Sequence, residues 1–465
     1  MLFSSVTFLF YFLPAVILLY FLVPRKLKNA VLLVFSLFFY AWGGVTYALL
    51  MVLAIIMGYI AGLLIEKFRG KTISKVFLFL AVAMIISFML YFKYTDFFID
   101  NFNKITGLSI PFLKLALPIG IRFYTFQIIS YVVDVYRGEK AQKNPVNLAA
   151  YVAMFPQLIA GPIVRYADVA RELETRTHSL TEAGEGVRRF IIGLSKKVLI
   201  ANSMYDLSQI IYEANEKTVL FYWIYGIAVA LYIYFDFSGY SDMAIGLGRI
   251  FGFHFLENFN YPFISKSATE FWRRWHMSLG SWFRDYLYIP LGGNRVPKWR
   301  WFLNIFAVWL FTGFWHGASW NFIIWGLFFG VLLVVEKLWL LKYLERSRVL
   351  CRVYIMFAVM ISFMVFNING LGEALSYIGG LFGAGGISFA NAETWYYLRS
   401  YGVLLAAAAV GSTPIIKKLA VKLSTGEKTR KVMSFVEPVV LVALLVVVTA
   451  FLVDSSSNPF LYFRF

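Results

Sequence analysis

The chain has 465 residues, 60% of them hydrophobic and 19% aromatic, with a mean hydropathy of +0.71. That excess excludes a soluble globular domain, where apolar usage runs nearer half, and fits one integral membrane domain over 1–465 better than two or three soluble ones. The net charge of +18 lies in short basic clusters between apolar runs, as positive-inside loops do, so it reads as membrane topology and not as a nucleic-acid surface.

Residues 3–23 form an uncharged run of spanning length, too long for a signal-peptide core, and read as a first transmembrane helix. The stretch 29–65 reads as two crossings divided at Gly43-Gly44. Further crossings are expected at 76–92, 113–135, 187–205, 218–236, 301–315, 318–335, 354–371, 398–416 and 436–453, the one holding Lys196 and Lys197 being the weakest. The expected fold is therefore an all-α polytopic membrane protein with about 11–12 transmembrane helices. With every basic loop assigned to the cytoplasm, both ends of the chain fall outside.

Two stretches resist this scheme, 145–165 with its MFPQLIAGPIV run and 237–300. Both are apolar but broken by Gly, Pro and charge. Such backbone is tolerated at membrane depth only inside protein or beside a water-filled cavity, so re-entrant or interfacial helices are expected there. No internal repeat stands out, and the absence of buried charge pairs argues against a transporter or lipid flippase.

Four histidines carry the candidate chemistry. His178, in the charged run RELETRTHSL, reads as solvated. His254, in IFGFHFLENF, reads as a satisfied interfacial side chain. His276 lies in FWRRWHMSLGSWF. If that run is one helix, Trp272, His276, Leu279 and Phe283 share a face, turning the imidazole inward and Arg273, Arg274 and Asp285 mainly elsewhere. A buried structural histidine is the alternative. His316 is the one imidazole in 301–335, a stretch without Asp, Glu, Lys or Arg. An ionisable group at such depth is costly and marks function by default. The alternative is helix packing, because Gly313 and Gly317 form a small-xxx-small step.

Other chemistries find little support. The single cysteine, Cys351 at a helix start, excludes an internal disulfide and a thiolate cluster and reads as structural. No metal is expected: His276 and His316 are 40 positions apart, with no carboxylate at ligand spacing beside either. No G-x-S-x-G elbow supports a serine triad, and Gly246-Leu247-Gly248 reads as helix packing rather than a phosphate loop. What remains is a neutral imidazole in a dry site, suited to taking a proton from a hydroxyl that attacks an acyl group.

The runs MFPQLIAGPIVR, YFDFSGYSDMAIGLGRIFGF, NFNYPFISKSATEFWRRWHMSLGSWFRDYLYIPLGGNR and FTGFWHGASWNFIIWG closely resemble the membrane-bound O-acyltransferase family, and within it the bacterial alginate O-acetyltransferase branch. The resemblance spans the chain and is most specific over 154–326. It implies a ring of transmembrane helices around a central tunnel, His316 of WHG as the catalytic histidine and His276 of RWH as the second active-site histidine. It further implies no bound cofactor, an acyl thioester such as acetyl-CoA as donor and a polysaccharide acceptor. A multi-pass setting in the lipid bilayer of the bacterial cytoplasmic (inner) membrane and an extracytoplasmic SGNH-type partner are implied as well. The teichoic acid D-alanyltransferase branch shares both histidines and is the rival. The tail NPFLYFRF (458–465) resembles the tyrosine-containing end of the small partner protein in D-alanylation systems. Tyr462 is thus either an aromatic interfacial anchor or an acyl relay.

Overall fold

The computed structural model describes residues 1–465 except 116, 117, 119, 160, 455–458 and 460–465. The described residues form helices, turns and extended segments without a β-strand, which bears out an all-α polytopic fold. Among the described residues, six helices are long and apolar enough to cross a bilayer: Val45–Lys67, Thr72–Thr106, Val219–Ile250, Trp320–Leu344, Arg348–Asn367 and Thr429–Asp454. The bent pair Ala392–Gly411 and Ile415–Ser424 brings the number to seven if it is one span. This is fewer than the 11–12 expected, because several apolar runs fold as shorter or more polar helices. Phe8–Leu22 is one such short apolar helix.

One expected break is absent. The crossing expected to end at 236 continues to Ile250 as a single helix. Its glycines serve as contact points. A Cβ on Gly239 would lie 2.7 Å from the carbonyl of Gly193, and one on Gly246 would lie 2.5 Å from that of Gly186. The Gly246-Leu247-Gly248 step is thus a packing seam.

The chain divides into two compact units, residues 1–190 with 241–256 and residues 191–240 with 257–465. In the first, the stretch 145–165 breaks as expected, into Pro145–Ala153 and Phe155–Leu158 followed by extended chain. Its irregular backbone is buried in protein and hydrogen-bonded: Phe155 N donates to Ser36 Oγ at 3.1 Å, and the Tyr151 hydroxyl donates to the Val164 carbonyl at 2.9 Å. The Phe155 ring packs on Phe12 and Phe39 at 5.3 and 5.7 Å between centroids. His178 departs from expectation. It is half-buried, 2.8 Å from the Tyr20 hydroxyl and packed on the Tyr20 and Phe21 rings. His254 is satisfied, with Nδ1 2.7 Å from Glu172 and Nε2 3.3 Å from Glu182.

In the second unit, Lys298–His316 and Trp320–Val335 form a hairpin whose backbones touch. A Cβ on Gly313 would lie 2.5 Å from the Phe322 carbonyl oxygen, and one on Gly326 would lie 2.3 Å from that of Trp309. The small-xxx-small signal is therefore real packing. Cys351 is buried in the first turn of Arg348–Asn367, as a structural thiol would be. The unit also holds a fully buried charge pair, Lys197–Asp236, at 2.6 Å. The sequence pattern had suggested no such pair, because Lys197 and Asp236 sit 39 residues apart in separate apolar runs.

Candidate active site

The stretch carrying His276 is anchored at both ends. Helix Ala268–Trp272 starts at Ser267, whose side chain accepts from Glu270 N. The buried carboxylate of Glu336 accepts from Ala268 N at 2.5 Å, Thr269 N at 3.1 Å and the Thr269 hydroxyl at 3.2 Å. A negative charge on free N–H groups at a helix start is favourable twice, as hydrogen bonding and as dipole complement.

After one turn the helix stops. Arg273–Trp275 form a turn, and His276 takes the left-handed conformation, φ 44° and ψ 52°, as N-cap of Met277–Phe283. The expectation of one continuous helix with Trp272, His276, Leu279 and Phe283 on a shared face is therefore corrected. The competing interactions come from Asn258, which lies far upstream in sequence. Its carbonyl accepts from Met277 N at 3.0 Å, and its Oδ1 accepts from Ser278 N at 3.3 Å and the Ser278 hydroxyl at 2.9 Å.

Those bonds also fix the imidazole. A backbone N–H can only donate, so the Asn258 atom that meets Ser278 N is the carboxamide oxygen. His276 Nδ1 lies 3.1 Å from the same oxygen and must carry the proton. Nε2 then keeps its lone pair. It is buried and has no hydrogen-bond partner among the described residues. The residue is 1% exposed, and burial pushes the imidazole down to about 3. His276 lies outside the spanning helices.

His316 ends the first helix of the hairpin, with Gly317 extended behind it. It is buried, and its ring meets Trp315 at 4.9 Å, Trp325 at 4.9 Å and Phe366 at 5.3 Å between centroids. The structure joins the two histidines through one ring: Trp315 also lies 6.0 Å from His276, whose other flank meets Phe237 at 4.6 Å. Around them, the indole N–H groups of Trp272 and Trp325 are buried without an acceptor among the described residues, and these two rings lie 5.6 Å apart. Buried polar atoms are nearly always paired, so these unpaired donors and the unpaired Nε2 each call for a ligand or water. The aromatic walls leave the site apolar around those few polar atoms, as small-molecule sites commonly are.

Sequence reasoning missed Asn258, Ser278, Trp315, Trp325 and Glu336. All but Glu336 sit inside the runs quoted for the family resemblance. Pairing Asn258 with His276 needed the turn, which no periodicity signals. Tyr462 lies outside the described residues.

The sequence model of the MBOAT, membrane-bound O-acyltransferase family matches residues 135–372. A protein named "Probable alginate O-acetylase" from Azotobacter vinelandii is 43% identical over 392 residues, covering 83% of this chain and 79% of its own length. The peptidoglycan O-acetyltransferase of Helicobacter pylori is 33% identical over 429 residues, covering 84% and 81%. The teichoic acid D-alanyltransferase of Bacillus subtilis is 32% identical over 230 residues, covering 46% and 58%.

Proposed function

The chain belongs to the membrane-bound O-acyltransferase family, and from that membership and the site's geometry we propose that it moves an acetyl group from a thioester donor to the hydroxyls of a cell-surface or secreted polysaccharide. The polysaccharide O-acetylating relatives match most of the chain, whereas the D-alanyltransferase matches less than half of it. Acetyl transfer is therefore preferred to D-alanyl transfer.

The observation that carries the mechanism is the bare Nε2 of His276, opposite an Nδ1–H locked by Asn258. An oriented neutral imidazole of this kind is a general base. In the proposed step Nε2 takes the proton of an attacking hydroxyl. The oxygen bonds to the acyl carbon, the carbon–sulfur bond breaks, and the imidazolium returns the proton to the leaving thiolate. The indole N–H groups of Trp272 and Trp325 are the donors available to the developing carbonyl oxyanion. His316, which the family resemblance implies as the catalytic histidine, takes the second role here and orients the acyl group from the same aromatic cluster. Acetyl-CoA is the donor that fits this chemistry.

The attacking hydroxyl is assigned to Tyr462. Its ester would pass the acetyl group to a hydroxyl of an extracytoplasmic SGNH-type partner or of the polysaccharide, and the incoming hydroxyl's proton would restore the phenol. Setting is part of the proposal: the cytoplasmic membrane of a bacterium. The test is polysaccharide-bound acetate in cells holding equal membrane amounts of each variant. His276→Gln should lose on the order of 10²–10⁴ in rate, and His316→Gln should lose less. The reverse ranking exchanges the two roles, and near wild-type acetate from both removes the histidines from the mechanism.

A further inference from the structure

Away from the active site, three cations gather without an ion-pair partner among the described residues: Arg25, Lys28 and Arg176. Arg25 and Lys28 follow the short apolar helix Phe8–Leu22. The buried Tyr20, near the end of that helix, brings Arg176 and His178 to the same place. Its hydroxyl accepts from Arg176 Nε at 2.9 Å and lies 2.8 Å from His178 Nε2. Lys28 Nζ stands 4.4 Å from the centroid of the Tyr20 ring, and Arg176 Cζ stands 5.6 Å from it.

Arg176 is fixed but incompletely satisfied. Nε also donates to the Phe251 carbonyl at 3.0 Å, and Nη1 donates to Asn29 Oδ1 at 2.7 Å and the Glu172 carbonyl at 3.2 Å. The guanidinium also lies over the Phe253 ring, 4.4 Å from its centroid. Gly252 makes room for this arrangement. Its φ is +80°, and a Cβ there would lie 2.8 Å from the Thr177 carbonyl oxygen and 3.3 Å from Arg176 Cδ. Nη2, with two of the five guanidinium N–H groups, is buried and has no partner among the described residues. Glu172 gives its carboxylate to His254 and only its backbone carbonyl to Arg176. Burial, with the charges of Lys28, Arg176 and Arg25, holds the His178 imidazole below its ordinary value. The field at this place is positive. A cation withdrawn from water without a counter-charge is costly, and an anion from outside the chain removes that cost.

We infer that Arg25, Lys28 and Arg176 hold the phosphate of an anionic phospholipid headgroup at the end of the first helix. Arg176 supplies the fixed charge. Lys28, half-buried, and Arg25, exposed, supply flexible arms with further N–H donors. The apolar surroundings favour a lipid over a soluble phosphate. Leu18, Phe21, Leu22 and Leu27 are all exposed beside the cations, where acyl chains would lie. Positive-inside topology assigns this basic cluster to the cytoplasmic face, and basic pockets on that side bind anionic headgroups. The bound lipid would tie residues 175–179 to the first helix, so the stability of the protein would depend on lipid charge.

Thermal unfolding of the full chain in uncharged detergent tests this, with dioleoylphosphatidylglycerol or dioleoylphosphatidylcholine added. The anionic lipid should raise the unfolding temperature, and the zwitterionic lipid should not. In Lys28→Gln the same rise should need roughly tenfold more anionic lipid, as the loss of a charge-assisted hydrogen bond implies. Arg25→Gln, at an exposed position, gives the same reading if Lys28→Gln fails to fold. Lys26→Gln removes an equal charge from the same turn and should respond as wild type does. An equal loss in Lys26→Gln would mean diffuse attraction to a basic surface, and it overturns the site, as does equal stabilisation by the zwitterionic lipid. Stabilisation by inorganic phosphate or adenosine 3′,5′-bisphosphate as strong as that by the anionic lipid would give the cations to a soluble phosphate, and it overturns the lipid assignment.

Discussion

Left-handed backbone at a residue other than glycine or asparagine costs on the order of 1–3 kcal/mol, and His276 adopts it at the centre of the site. The imidazole is therefore held there by its chemistry and not by backbone preference. His276→Asn should relieve the strain and leave thermal unfolding in detergent within a few degrees of wild type while removing acetylation. A collapse in stability would make His276 a packing residue. The depressed basicity sets a pH expectation as well. Burial holds the imidazole down to about 3, so it is neutral throughout pH 5–8. The kcat/KM profile should show no acid limb near 6.5, the ordinary histidine value. A limb there, absent from His276→Gln, would mean the imidazole is hydrated when it works. The residue types of the candidate site were legible in part, because His316 stands out against uncharged sequence, whereas His276 follows Arg273 and Arg274. Which nitrogen carries a proton was not, because it depends on Asn258, 18 positions away across a turn.

Among the elements, the hairpin of Lys298–His316 and Trp320–Val335 was the most legible. An uncharged run interrupted by Gly317-Ala318-Ser319 gives two helices and a tight connection. The stretch 268–283 was the least legible. Its helical period is genuine on either side of the turn, but the Asn258 bonds to Met277 and Ser278 interrupt it. Glu336, which pins the start of Ala268–Trp272, approaches from 67 and 68 positions away. The backbone contact of the hairpin yields a sharp expectation. Gly313→Ala and Gly326→Ala each place a methyl against a carbonyl oxygen that cannot turn aside, at 2.5 and 2.3 Å. Overpacking of this kind costs about 1–3 kcal/mol, more than alanine's helix preference over glycine returns. Both variants should unfold at lower temperature in detergent, and Gly313→Ala, one turn before His316, should also lower acetylation. Wild-type stability in either would mean the helices separate freely.

For the whole molecule, the proposed relay makes the tail the route by which acetyl groups leave the site. Tyr462→Phe keeps the aromatic character of an interfacial anchor and removes the hydroxyl. It should abolish polysaccharide acetylation while membrane abundance stays at wild-type level. Full acetylation would leave the tail as an anchor and require another hydroxyl as first acceptor. The membrane class was legible from composition alone, whereas hydropathy does not distinguish a crossing helix from an apolar helix buried within the protein, so the sequence pattern marks more apolar runs than there are long apolar helices among the described residues.

The glycine-seamed hairpin has a consequence for biogenesis. Of its two helices, only the second is among those long and apolar enough to cross a bilayer, so the first, meeting it backbone to backbone across a three-residue connection, depends on that partner for its place. His316 stands at the tip of that pair, where Trp315, Trp325 and Phe366 enclose it once the partner helices are in place. Until then the imidazole lacks that aromatic enclosure. The same seam that fixes the site in the mature protein would therefore shorten its most vulnerable moment during synthesis, and cells short of insertion capacity should lose the Gly326→Ala chain to quality control before they lose the wild type.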